Sequence, residues 1–335
     1  MPSAEDDFIS RYFAPIAGEG GLKLKDDAAL IAPPAGCELV VTTDGVSQGR
    51  HFLDDAPASI ARKALRVNLS DLAAKGADPL GFVLTLALPA SWDASTRDAF
   101  MRPFAQGLGE DAAAYGCSLL GGDTMAIDGP LTLSITAFGA VGKGCMVRRT
   151  GAQPGDLLVV SGTIGDAALG LKLRRAIEGD QRGATKLLGL SDEHRAFLLD
   201  AYLHPRPRNV LARALRDHAH GAMDISDGFI GDFAKMLEAS GVGGVIDATA
   251  APLSAAGQAA VALDPALQRT AVTGGDDYEI AAACSVQAWP ALAKLGEQAG
   301  VPLTVIGRVG QPGESIMVEP AAFASLLSSG SYSHF

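Results

Sequence analysis

Short apolar runs alternate along the whole chain with longer segments of helical period, a pattern that predicts an α/β protein. Near the start, Phe8, Ile9, Tyr12, Phe13 and Ile16 fall on one helical stripe and predict an amphipathic helix. ELVVTTD (38–44) predicts a strand ending at Asp44, and 58–77 predicts a helix closed by Gly76 and the following Asp78-Pro79. A buried strand over 79–89, a helix over 93–115, the segment CSLLGGD (117–123) and a central-sheet strand over 131–142 follow. RRTGAQPGD (148–156) is Gly/Pro punctuation, and the domain boundary is placed there, giving domains 1–148 and 149–335. The pattern then restarts with strand DLLVVSG, helices through 166–218, strand AMDIS, helix FIGDFAKMLEAS and strand GGVID. Strand YEIAAACS, a helix near 287–299 and strand PLTVIGRVG complete it, and the two halves show no clear repeat.

Bulk properties narrow the class. At 335 residues with 48% hydrophobic and 19% charged residues, the chain can bury two cores. A formal net charge of −11 argues against nucleic acid, whose phosphates need clustered Lys and Arg. Cys37, Cys117, Cys145 and Cys284 stand far apart without a CxxC or Cys-His spacing, so zinc and a disulfide framework are not expected. The acidic N-terminus lacks the basic start and apolar core of a secretory signal, and no segment reaches the roughly 20 apolar residues of a membrane span. A cytoplasmic protein without a membrane partner is the expectation.

Aspartate is the residue that recurs with chemistry attached. It stands in KDDAAL (Asp26, Asp27), TTDGV (Asp44), NLSDLAAKGADP (Asp71), GGDT (Asp123), MDISDG (Asp224, Asp227) and GGDDYE (Asp276, Asp277). Hard cations such as Mg²⁺ take oxygen ligands, and carboxylates on glycine turns and strand ends can hold them against phosphates. Taken alone, TTDGV and GGDT each read better as turns. Asp71 instead lies in a helical pattern, on a stripe with Lys63, Val67, Ser70 and Ala74. Asp224 and Asp227 flank Ser226 where a strand gives way to a helix, as capping residues or as metal ligands. Arg149, in the RRTG hinge, is a candidate phosphate clamp, although a basic surface linker is the commoner reading of such a residue; Asp78 reads as structural, and Asp26 stays open. P-loop, EF-hand and GxSxG patterns are absent, and no Cys-His pairing or histidine triad suggests covalent catalysis.

In order, DDAAL, TTDGVSQGRHF, KALRVNLSDLAAKGADP, LLGGDT, RRTGAQPGDLLVVSGTIGDAALGL, HPRPR, DISDGF, TGGDDYE and SYSHF resemble thiamine-monophosphate kinases. These belong to the ATP-dependent superfamily of aminoimidazole-ribonucleotide synthetase and selenophosphate synthetase. The resemblance covers essentially the whole chain. It implies ATP-dependent phosphorylation of thiamine monophosphate to thiamine diphosphate with several Mg²⁺ ions. It also implies an α+β-type fold: a mixed N-terminal sheet whose helices form a homodimer interface, and a C-terminal α/β domain completing the active site. Metal positions would fall on Asp27, Thr42, Thr43, Asp44, Asp71, Asp123, Asp224 and Asp227. ATP contacts would fall on Tyr115, Gly122, Asp123, Arg149 and Ser226, and substrate contacts on His51, Asp276 and Tyr332. The acid before DYE is usually glutamate in this family; Asp276 is shorter by one C–C bond, roughly 1.5 Å.

Phosphoryl transfer asks a protein mainly for positioning and electrostatic stabilisation. A phosphate monoester acceptor is largely dianionic at pH 7 and needs no general base, consistent with direct in-line transfer. Two other readings stay open. One is a related synthetase acting on an aminoimidazole precursor, although GEGGLKLKDD carries no reactive Cys and SYSHF no terminal cysteine motif. The other is a non-catalytic acidic metal-binding protein.

Overall fold

A computed structural model describes residues 3–327. The chain divides into two compact units after Gly144, with the short segment Ala73–Gly76 grouped with the second. Each has its own sheet, in agreement with the α/β reading of the sequence.

The first unit opens with helix α1 (Ala4–Tyr12), capped by Ser3, whose side chain accepts from the Asp6 amide. Strand β1 (Cys37–Ser47), helix α2 (Pro57–Ala74), strand β2 (Asp78–Pro89), helix α3 (Ala94–Ala114), strand β3 (Ser118–Ile127) and strand β4 (Thr132–Gly142) follow. The sheet order is β1-β4-β2-β3, antiparallel except for the parallel β2–β3 pair, and is therefore mixed. Period-two burial along β4 (Leu133, Ile135 and Ala137 buried) turns one face inward. On α2, Leu65, Leu69 and Leu72 are fully buried. Each such side chain contributes about 1.5–3 kcal/mol of burial.

Two local expectations give way here. β1 does not end at Asp44 but continues three residues to Ser47, because β4 supplies partners throughout, Asp44 opposite Ile135 and Gly45 opposite Ser134. The Gly-Gly-Asp of GGDT is likewise no turn. It lies inside β3, where a Cβ on Gly122 would stand 1.9 Å from the Leu84 carbonyl oxygen. Glycine is needed there for close strand approach.

The second unit contains β5 (Leu157–Ser161), α4 (Asp166–Ile177), α5 (Asp192–Leu203), α6 (Ala212–His218), β6 (Gly221–Asp224), α7 (Phe229–Ser240) and β7 (Gly244–Asp247). It continues with α8 (Ala255–Leu263), α9 (Leu267–Thr273), β8 (Ile280–Cys284), α10 (Trp289–Gln298), β9 (Leu303–Val309) and β10 (Ile316–Glu319). Its sheet order is β10-β7-β9-β5-β8-β6. The unbroken apolar runs of β5 and β8 follow from burial on both faces. Leu158, Val160, Ala281 and Ala283 pack with Phe229 and Phe233 of α7, while Leu157, Val159 and Cys284 pack with Ala214 of α6 and Leu292 of α10. Helices α8 and α9 and strand β10 carry weak sequence patterns and were not anticipated. The first two complete a helical layer with α4 and α5 through Leu169, Leu173, Leu198, Ala260 and Leu267. Among the described residues no helix is long and apolar enough to cross a membrane.

Candidate active site

In the first unit the candidate ligands form two groups. Thr42 and Asp44 sit two residues apart on β1 and share a face with buried Val40 and Val46. From that face the Thr42 hydroxyl donates to the Asp71 carboxylate on α2. Burial, reinforced by the negative charge of Asp71, pushes the Asp44 carboxyl up to about 6. Two carboxylates held close enough to raise one of them form a place where positive charge is wanted. Thr43 points to the opposite face, where its hydroxyl donates to the Ile135 carbonyl (3.1 Å) and accepts from the Thr136 hydroxyl (3.0 Å).

The second group lines a cavity of about 300 Å³, with Asp26, Asp27, Gly122 and Asp123 along one part of its wall. Ile9, Phe13, Leu24, Leu119 and Leu120 supply apolar lining. The Asp26 carboxylate accepts the Asp27 amide at 3.0 Å. Tyr115 is the C-cap residue of α3 and lies under the Arg66 guanidinium, 5.8 Å from its ring centroid. Asp111, 4% exposed, grips Arg66 at 2.6 and 2.9 Å. His51 follows β1 and accepts the Ser47 amide on Nδ1 (3.1 Å).

In the second unit, β6 ends at Asp224 and the chain runs through Ile225–Gly228 into α7, as the MDISDG motif led us to expect. This loop is zipped to the GGDDYE turn. The Asp276 amide donates to the Ser226 carbonyl (2.9 Å), Tyr278 to Ile225 (2.8 Å), and Ile225 to Glu279 (2.8 Å). Asp276 and Tyr278 hold positive φ values of 73° and 52°, a conformation costly for residues with a Cβ. The tertiary structure therefore gathers Asp224, Ser226, Asp227 and Asp276. The backbone of Arg149 lies apart from them, its carbonyl accepting from Ser240 at the C-terminal end of α7. Twelve helical residues, about 18 Å, separate that end from the loop. Tyr332 lies outside the described residues.

Three features of this unit escaped the sequence reading. Asp232, 1% exposed in the first turn of α7, accepts through one oxygen from the amides of Ser226, Asp227 and Gly228 (3.1, 2.9 and 3.1 Å). Lys235 bridges Asp232 (2.9 Å) and Asp227 (2.6 Å). Behind the turn, Glu279 is 4% exposed, pairs with Arg208 through two donors and accepts from Ser161 Oγ at 2.5 Å. The only signal for Asp232 is an acid in the first turn of a predicted helix, which is too common to single out.

Among the described residues no three His, Cys, Asp or Glu side chains converge tightly enough to hold a metal unaided. The carboxylates come instead in small groups.

Comparison with known proteins bears on the fold and the family. The model of the AIR synthase related protein N-terminal domain matches residues 25–141, and that of the C-terminal domain matches 153–319. A thiamine-monophosphate kinase of Caulobacter vibrioides is 40% identical over 313 residues, covering 91% of this chain and 84% of that protein. The crystal structure of thiamine-monophosphate kinase from Stenotrophomonas maltophilia superposes with a TM-score of 0.77 at 38% identity, over 88% of this chain and 90% of that one. AaThiL, solved in complex with AMPPCP and TMP, gives a TM-score of 0.74 at 26% identity, over 99% and 94% of the two chains. With both domain models matched in order and this identity sustained over nine-tenths of its length, the chain belongs to the thiamine-monophosphate kinase family of AIR synthase related proteins.

Proposed function

We propose that this protein transfers the γ-phosphoryl group of ATP to the phosphate of thiamine monophosphate, producing thiamine diphosphate and ADP. Family membership across nearly the whole chain carries this reading. The first unit supplies Asp27, Thr42, Thr43, Asp44, Asp71 and Asp123 toward Mg²⁺, Thr43 through its backbone carbonyl because its hydroxyl is engaged elsewhere. The second supplies Asp224 and Asp227. Tyr115, Gly122, Asp123, Arg149 and Ser226 are assigned to ATP, and His51, Asp276 and Tyr332 to thiamine monophosphate. The donor set fits the metal, since every assigned ligand offers oxygen.

The chemical difficulty is repulsion between two phosphate groups. Each unit-charge pair at 4 Å costs about 4 kcal/mol at an effective dielectric of 20. Bound Mg²⁺ supplies the charge that offsets this repulsion. The residues hold the groups in line, and the dianionic acceptor attacks without a general base. With purified protein, Mg²⁺ and ATP, ADP should appear with thiamine monophosphate and not with thiamine or aminoimidazole precursors. Release with thiamine alone would overturn the substrate, and net retention at the transferred phosphorus would overturn direct transfer.

A homodimer in a reducing cytoplasm belongs to the same reading. Cys37, Cys117 and Cys284 are free thiols. The outward face of the first sheet exposes Leu39, Val41 and Met125, an apolar surface suited to a second copy. Val41→Asp should shift the protein from dimer to monomer in light scattering coupled to size exclusion; an unchanged dimer would place the interface elsewhere.

A further inference from the structure

We infer that Asp232 is a positioning residue for the phosphoryl transfer, acting by occupying the three amide donors of the Ser226–Gly228 loop. The inference rests on the proposed function for its kinetic consequence but not for its structural one. Consecutive amides at a helix N-terminus form a ready anion site, and a phosphate would normally be expected there. Here the site is already filled from within. One carboxylate oxygen of Asp232 takes all three N–H groups, and its other oxygen takes Lys235. The loop therefore has its Ser226 and Asp227 side chains, rather than these amides, to offer a ligand.

The surroundings leave the loop little freedom. Gly228 adopts φ 130°, and a Cβ there would stand 2.6 Å from the Thr273 carbonyl oxygen. A Cβ on Gly275 would meet the Ser226 carbonyl oxygen at 2.2 Å. Without the Asp232 carboxylate, the three amides would lack their acceptor in a half-buried loop, and its closed conformation would lose its main internal tie. Lys235 adds a second effect. By holding the Asp227 carboxylate at 2.6 Å it sets that side chain's direction and supplies positive charge beside it.

Hydrogen exchange on the unliganded protein tests this without reference to turnover. In Asp232→Ala the amides of Ser226, Asp227 and Gly228 should exchange about 100-fold faster while those of β5 and β8 keep their protection. Asp232→Asn retains an acceptor oxygen and should leave the three amides protected. Under the proposed reaction, Asp232→Ala should lower kcat by about 10- to 100-fold with KM for thiamine monophosphate nearly unchanged, and Asp232→Asn should recover most of the loss. Unaltered exchange in the alanine variant, or fast loop exchange in a folded asparagine variant, would overturn the inference. If the alanine variant does not fold, the asparagine variant decides by itself. Intact exchange behaviour in a protein that turns over no thiamine monophosphate would overturn the function and leave the loop assignment standing.

Discussion

Asp71→Asn is expected to lower kcat by about 1,000-fold, or about 4 kcal/mol of transition-state stabilisation, while shifting the melting temperature by no more than ~2 °C. The substitution is nearly isosteric and keeps an oxygen that can accept the Thr42 hydroxyl, so the contact between α2 and β1 survives. What it removes is one of the two charges of the Asp44–Asp71 pair. Asp44 is itself pushed up to about 6 by burial and by Asp71, so the pair is poised to take a cation. Steady-state kinetics at saturating Mg²⁺, together with a thermal melt, checks both halves. Near-normal turnover would remove Asp71 from the site, and a collapsed melt would make its role structural.

Arg208→Met should destabilise the second unit by about 3–5 kcal/mol, lowering its melting temperature by about 10 °C. Glu279 is enclosed at 4% exposure, and Arg208 is its cationic partner. Removing the guanidinium strands the charge, because the remaining Ser161 hydroxyl cannot neutralise it. The pH dependence has a definite sign. Burial already holds the Glu279 carboxyl above its ordinary value, with Arg208 pulling it back down. A raised folded-state pKa means the native protein binds more protons than the unfolded chain in the window above the unfolded carboxylate value. Stability therefore falls as pH rises through that window. Without Arg208 the upward shift grows, so the deficit of the variant should be largest near pH 8 and shrink toward pH 5.5. Melting curves across that range test it, and adding Glu279→Gln should recover part of the loss. A deficit independent of pH would mean that lost packing of the arginine stem, not the stranded charge, dominates.

Much of the placement of the candidate site was legible because its residues sit in short local motifs. MDISDG marked a strand giving way to a helix, and the structure ends β6 at Asp224 and starts α7 at Phe229. Asp71 stood out because a polar residue on a helical stripe is distinguishable from one in a turn. TTDGV and GGDT were harder. Asp-Gly and Gly-Gly favour turns locally, and only partner strands β4 and β2 keep these segments extended. Asp232 and the Arg208–Glu279 pair were illegible for a related reason. Their meaning lies in which amides, hydroxyls or charges face them, and those come from residues up to 118 positions away.

The amino-acid order by itself determined the alternation of strands and helices, the all-oxygen character of the candidate ligands and the family, because each resides in local pattern or motif spelling. Only the tertiary structure decided which aspartates meet. It set the charge of Asp71 beside Asp44, placed Asp26, Asp27 and Asp123 around one cavity, and tied Asp276 to the Ser226 loop. It also left Arg149 at the far end of α7. Charge interactions depend on distance and burial, and neither is set until long-range strand pairing and helix packing have closed the chain on itself.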